Sequence, residues 1–174
     1  NEIPGVPSDV VLNNAVALLE YKFANAIQKL NQSYKDIVAF SSGQGELPPI
    51  ATADLEKELR NSYEVGRLEM DSVAVIPQEI AALIIAKPTR PFSDNNKFKI
   101  DQYVMNGGKV LWLLDRIAVD LDSLQGRPEF YPQPYELNVD DLLFRYGVRF
   151  NDDLVQDLRC TRIPLATGVV GNAP

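Results

Sequence analysis

The chain has no histidine and a single cysteine, Cys160. Without imidazole, a Ser-His-Asp or Cys-His catalytic site cannot be assembled from these 174 residues, nor can a zinc site that needs His or paired Cys. One thiol also rules out an intrachain disulfide. Cys160 sits in DLRCTRIP, away from any strand-to-helix elbow and with no base to ionise it, so a structural role is expected. No apolar run approaches the roughly 18 residues that span a bilayer. The opening NEIPGVPSD has neither the basic start nor the apolar stretch of a secretory leader. Runs of Lys or Arg are also missing, and a formal charge of -7 with a pI near 4.6 repels nucleic acid and anionic lipid at long range. The aspartates at 120, 122, 140, 141, 152 and 153 lack the spacing of a calcium loop. Neither the Walker nor the GxGxxG spacing of a phosphate-binding loop occurs. No cofactor or metal is therefore expected, and what remains open is carboxylate, lysine, tyrosine or threonine chemistry.

What is present is enough apolar content, 45%, to enclose one core. The most informative stretch is LIIAKPTRPFSDNNKFKIDQYVMNGGKVLWLLD, residues 83 to 115. Leu83 to Ala86 and Val110 to Leu114 are short unbroken apolar runs, suited to parallel strands covered on both faces. Between them Ser93 can cap a helix, Ile100, Tyr103 and Val104 recur at helical spacing, and Gly107-Gly108 supplies a left-handed exit. This is a βαβ unit, right-handed by the general rule. The expected fold class is α/β, an open and mostly parallel sheet between helices.

Elsewhere, Ser8 or Asp9 can open a long helix to about Asn31, with Leu12, Val16, Leu19, Phe23, Ala26 and Leu30 on one stripe. That stripe is expected to pack on the sheet, with a coiled-coil contact to a partner as the alternative. Asp36 to Ser42 reads as the first strand, followed by a helix near Thr52 and an edge-side strand from Tyr63 to Met70. Asp71 to Ala81 reads as a connection. Residues 116 to 134 read as a long loop, Asn138 to Tyr146 as a helix ending at Gly147, and Val148 to Phe150 and Leu154 to Leu158 as short strands. The division expected is 1–34 for the segment with the long helix, 35–150 for the α/β core and 151–174 for a partial extension. Both ends read as cuts through a longer protein.

Open parallel sheets bind ligands outside the carboxyl ends of their strands. That rule gathers Ser42, Gly43, Gln44, Gly45 and Glu46 after the first strand, Thr89 and Arg90 after the third, and Asp115 and Arg116 after the fourth as a candidate ligand-binding rim. Glu46 is expected to accept backbone N–H bonds or to pair with Arg90, and Asp115 to pair with Arg116 or Arg90. Trp112 is expected in the core. Phe130, Tyr131 and Tyr135, on a proline-stiffened loop beside that rim, are candidate partner-binding residues, with pinning of the loop to the sheet as the alternative.

SSGQGELP, ALIIAKPTRPFS, DQYVMNGGKVLWLLD and DDLLFRYGVRFNDDLVQDL, taken in this order, resemble the extracytoplasmic domain of GldG-type proteins, the auxiliary, substrate-binding components of an ABC transporter associated with gliding motility. The similarity covers about residues 36 to 171. It implies a domain related to flavodoxin-like and glutamine-amidotransferase-like folds, shared with the amino-terminal domain of certain intraflagellar transport proteins, and continuing beyond Pro174. It also implies a parent chain anchored in the inner membrane, this domain facing the periplasm, and the transporter's permease and ATPase subunits as partners of the full-length protein. A small ligand of unknown identity is implied too. Family members often carry Gly-His-Gly-Glu after the first strand, whereas position 44 is Gln here. The resulting expectation is a non-enzymatic accessory subunit. The alternatives are a protein–protein scaffold with a vestigial crevice, or a hydrolase or transferase using carboxylates such as Glu46 and Asp115.

Overall fold

The computed structural model describes residues 18–31, 34–119 and 131–154, with positions 13, 16 and 159 besides. Phe130 and Cys160, and the expected strand beyond Leu154, lie outside the described residues. In chain order the elements are α1 (Leu19–Asn31), β1 (Ile37–Ser42), α2 (Pro49–Leu59), β2 (Glu64–Glu69), β3 (Ile80–Ala86), α3 (Asp94–Met105), β4 (Lys109–Leu113), β5 (Ile117–Ala118), β6 (Gln133–Pro134) and α4 (Asp140–Arg145).

The four longer strands form one parallel sheet in the order β2-β1-β3-β4, so the chain steps outward from β1 to β2 and then crosses back to β3 and β4. The reversal falls between β1 and β3, which are hydrogen-bonded neighbours. A parallel α/β sheet therefore stands as expected, and Tyr63 to Met70 contains the edge strand β2.

Alternation along each strand sorts side chains to two faces. On one face Ala39, Leu83 and Ile85 pack with Ile100 and Tyr103 of α3, Leu142 and Leu143 of α4, and Phe92, Leu137 and Val139 from the connections. Val110 and Trp112 of β4 join this cluster, and Trp112 meets Phe92 edge to face at 5.9 Å, placing it against the core as expected. On the other face Val38, Phe40, Ile84 and Ala86 pack with Leu47, Val65 and Leu59 of α2.

Helix α3 begins where Ser93 accepts a hydrogen bond from the Asn96 N–H and ends at Gly107, whose φ is +93°. Helix α2 starts three residues before Thr52: Pro48 and Pro49 open it, because a proline at the first helical position loses no intrahelical bond. The Thr52 hydroxyl instead bonds Glu56 inside the helix.

Three expectations are corrected. Strand β4 is covered on one face only: Leu111 and Leu113, in register with Ile84 and Ala86, are 48% and 43% exposed. The region read as one loop holds the antiparallel pair β5 and β6, while residues 148–150 form no strand. The stripe on α1 does not pack on the sheet, since Leu19, Phe23, Ile27 and Leu30 are all exposed.

Candidate functional site

The loops after β1 and β3 meet at the point where the strand order reverses. Gly43 and Gly45, with φ of +119° and +74°, turn the first loop so that three successive carbonyls face the second. All three are used. The Thr89 and Arg90 N–H groups donate to the Gln44 carbonyl at 3.0 and 2.9 Å, the Thr89 hydroxyl to that of Gly45 at 3.0 Å, and Arg90 Nη2 to that of Gly43 at 2.8 Å. A Cβ on Gly45 would overlap the Thr89 hydroxyl, and one on Gly43 would overlap the Glu69 carboxylate. Seven rim residues named from the sequence, Ser42 to Glu46 with Thr89 and Arg90, are thus brought together, and all but Ser42, which bonds to β2, share hydrogen bonds within the group.

The carboxylate of Glu46 is turned into its own loop, where one oxygen accepts from Ser41 Oγ at 2.8 Å and the other from the Gln44 N–H at 2.7 Å. It does not pair with Arg90, whose side-chain bond goes to a carbonyl. Gln44 is 4% exposed, and its amide oxygen is the one buried side-chain polar atom among the described residues without a hydrogen-bond partner. Ser42 donates to the Glu69 carboxylate at 3.0 Å and to the Leu68 carbonyl at 3.2 Å. A cavity of about 330 Å³ opens here, lined by Gly43, Gly45, Pro48, Arg67 and Arg90 among others.

Asp115 and Arg116 do not join this rim. Asp115 pairs with Lys87 at 3.2 Å, and Lys87 itself, at a φ of 50°, bonds back to the Leu113 carbonyl. Arg116 turns toward α4, meeting Asp140 at 3.0 Å and Asp152 at 2.5 Å and lying over the Phe150 ring. Those carboxylates, the Asp152 bond foremost, raise its already high pKa further and fix it as a cation. The expected pairing of Asp115 with Arg116 or Arg90 is replaced by these contacts. Of the loop aromatics, Tyr135 packs against the core, as the pinning alternative required, while Tyr131 is 77% exposed.

Two polar clusters went unnamed in the sequence. Arg67, on edge strand β2, lies over the Phe40 ring at 5.5 Å and reaches Glu56 at 2.6 Å, which also holds Arg60 at 3.0 Å. Burial alone pushes the Glu56 carboxyl up, but the Thr52 hydroxyl and the two arginines outweigh it and hold it below the ordinary range. Lys99, 4% exposed, donates to the Met70 carbonyl at 2.8 Å and to Asn96 Oδ1 at 3.0 Å, and Asn96 passes a bond on to Asp71 at 2.8 Å. The one sequence signal was the Glu56–Arg60 spacing along α2, which says nothing of Arg67. A lysine inside a polar helix reads as surface.

Chemically, the rim offers backbone surface, two arginines and a small recess. Its two nominated acids are in separate places, each with partners of its own.

A solved structure, the mmIFT52 N-terminal domain, shares the fold at a TM-score of 0.53 and 20% identity, over 74% of this chain and 52% of that one. A protein of Borreliella burgdorferi, described as uncharacterized, is 22% identical over 152 residues, 85% of this chain and 29% of the relative. The chain thus spans less than a third of the length of that curated relative. The profile of a family described as an ABC-type uncharacterized transport system, an auxiliary component by its name, matches residues 35–174, and the chain belongs to that family.

Proposed function

We propose that this chain is the periplasmic domain of an inner-membrane-anchored accessory subunit of an ABC transporter, of the type associated with gliding motility, and that it acts by binding rather than by catalysis. Membership of the transport-system family supports the first half. The observation that carries the second is the bonding between the loops at the strand-order reversal. Glu46 spends both carboxylate oxygens inside its own loop, and Asp115 spends one of its oxygens on Lys87 in the next connection. A carboxylate pair working as acid and base must instead be aimed at a shared substrate position.

A scaffold reading, in which the partner is protein and the crevice is vestigial, is favoured by the same loop bonding. Four hydrogen bonds cross the place where a ligand would enter an open α/β sheet. The full-length protein would then present this rim and the exposed Tyr131 to the permease or ATPase subunits.

The test of binding over catalysis is a turnover panel of esters, amides, glycosides and ATP. No substrate is expected to be consumed above a heat-denatured control. Turnover that disappears in Glu46→Gln or Asp115→Asn would establish the hydrolase reading in its place.

A further inference from the structure

The parallel sheet has two edge strands, and they meet water differently. Edge strand β2 carries Glu64, Arg67 and Glu69, charges that discourage a further strand from pairing. Edge strand β4 opens at Lys109, and no further charge follows before Asp115. Its register with β3, and the bond from the Lys87 N–H to the Leu113 carbonyl, turn the backbone groups of Lys109, Leu111 and Leu113 inward. Those of Val110, Trp112 and Leu114 therefore point away from the sheet, and no hydrogen bond among the described residues takes them up. Beside them Leu111 and Leu113 are about half exposed, in register with Ile84 and Ala86.

We propose that β4 pairs antiparallel with β4 of a second copy of this chain, about a twofold axis through Trp112. The edge is self-complementary in that register. Lys109 stands opposite Asp115 of the other copy, Val110 opposite Leu114 and Leu111 opposite Leu113, and symmetry makes each contact twice. Registers that keep the outward backbone groups face to face differ by slides of two residues. Two residues one way sets Lys109 against Leu113, and two the other way sets Leu111 against Asp115. Only the central register matches charge with charge and apolar with apolar throughout. Asp115 can take part, since its bond to Lys87 uses one carboxylate oxygen and its side chain is 52% exposed.

A twofold axis normal to the sheet keeps each face on its own side. The four leucines then meet over the open face, while both Trp112 rings stay with the cluster that holds α3. The strand order across the pair becomes β2-β1-β3-β4-β4-β3-β1-β2, with the two rims at opposite ends of the strands. An unrelated strand would have to carry this charge and apolar order in reverse. A second copy carries it of necessity.

Disulfide trapping in intact cells tests the pairing and its register. Leu111 and Leu113 of the two copies would face each other at non-hydrogen-bonded positions, where opposing α-carbons lie ~4.5 Å apart, within the range that a disulfide spans. Two differently tagged copies of the full-length protein are co-expressed, one with Leu111→Cys and the other with Leu113→Cys. Both carry Cys160→Ser and serine at any other cysteine, and the cells are treated with diamide. Both substitutions sit at half-exposed positions, and equal abundance of the two tagged chains shows that they fold. The expected product is a disulfide-linked dimer carrying both tags. Lys109→Asp in both copies should abolish it, because two acids then face each other, and so should Asp115→Lys in both. Lys109→Asp in one copy with Asp115→Lys in the other should restore it, a rescue that no effect within a single chain produces. Absence of the linked product would overturn the proposal, whether both thiols still react with maleimide or another segment shields them. A product that survives charge reversal in both copies would overturn the twofold pairing about Trp112.

Discussion

Gly108 lies directly against the Tyr103 ring, so that a Cβ there would overlap three ring atoms, while Tyr103 itself is held by a 2.8 Å hydrogen bond from its hydroxyl to the Ile80 carbonyl. The two glycines that end α3 therefore have different duties. Gly107 supplies the positive φ and has open space around its α-carbon, whereas Gly108 lets β4 start close to the helix. Gly107→Ala should cost about 1 kcal/mol from backbone strain. Gly108→Ala should cost more, about 2–3 kcal/mol, because the ring must move. Urea unfolding of both variants checks the order.

Glu56 makes the α2–β2 contact dependent on pH. Its carboxyl titrates lower in the folded chain than in the unfolded one, so its contribution is present above pH ~4.5 and is lost as pH falls through the depressed folded value. Glu56→Gln should lower stability at pH 7 by about 2 kcal/mol, since it leaves Arg67 and Arg60 without their carboxylate. The loss should shrink at pH 3. Equal losses at both pH values would mean that the carboxylate charge contributes nothing.

Tyr146 gives a second titration. Burial, and then the 2.8 Å hydrogen bond to Asp101, push its hydroxyl up to about 12. A raised folded value means stability that is present below pH ~10 and is lost as pH climbs toward the folded value. The difference in ultraviolet titration between the parent and Tyr146→Phe should show this late ionisation, and Asp101→Asn should bring it earlier.

Much of the fold was legible because local chemistry decides it. Ser93, the apolar spacing of α3 and the glycine after it fix that helix whatever surrounds it, and β1 and β3 are apolar runs that only a sheet interior accepts. The start of α2, at Pro49 rather than near Thr52, has a local cause, since Pro48 and Pro49 open the helix without a side-chain cap. The open face of β4 could not be read, because an apolar run looks the same whether or not a helix covers its second side. Nor could the split of the rim. That Asp115 turns to Lys87 and Arg116 to Asp140 depends on where β3 and α4 lie, which is long-range information. Likewise the bonds joining Gln44 to Thr89 and Arg90 follow from strand order rather than from either loop.

Gln44 should prove replaceable. Its buried amide oxygen has no hydrogen-bond partner among the described residues, and an unpaired buried acceptor costs about 1–3 kcal/mol. Gln44→Met keeps the shape and removes that acceptor, so thermal unfolding should show unchanged or higher stability. A loss above 1 kcal/mol would mean that the amide has a role in the fold that its contacts do not reveal.

Tyr131 and Tyr135 should separate binding from folding. Tyr135→Ser removes a ring packed on the core and should cost about 2 kcal/mol. Tyr131→Ser alters an exposed ring, so its unfolding curve should match the parent to within 0.5 kcal/mol or so. In the full-length protein the Tyr131 variant should retain less of its transporter partners. Full retention would remove this ring from the binding surface.

The most direct measurement is affinity capture of the full-length protein from native membranes, with the co-purifying subunits identified and quantified. The expected result is an ABC permease and its ATPase recovered in fixed proportion to the bait, and reduced when Thr89→Ala and Arg90→Ala together loosen the bonded rim. Recovery of the folded full-length protein with neither subunit, under conditions that keep other ABC assemblies intact, would contradict the account.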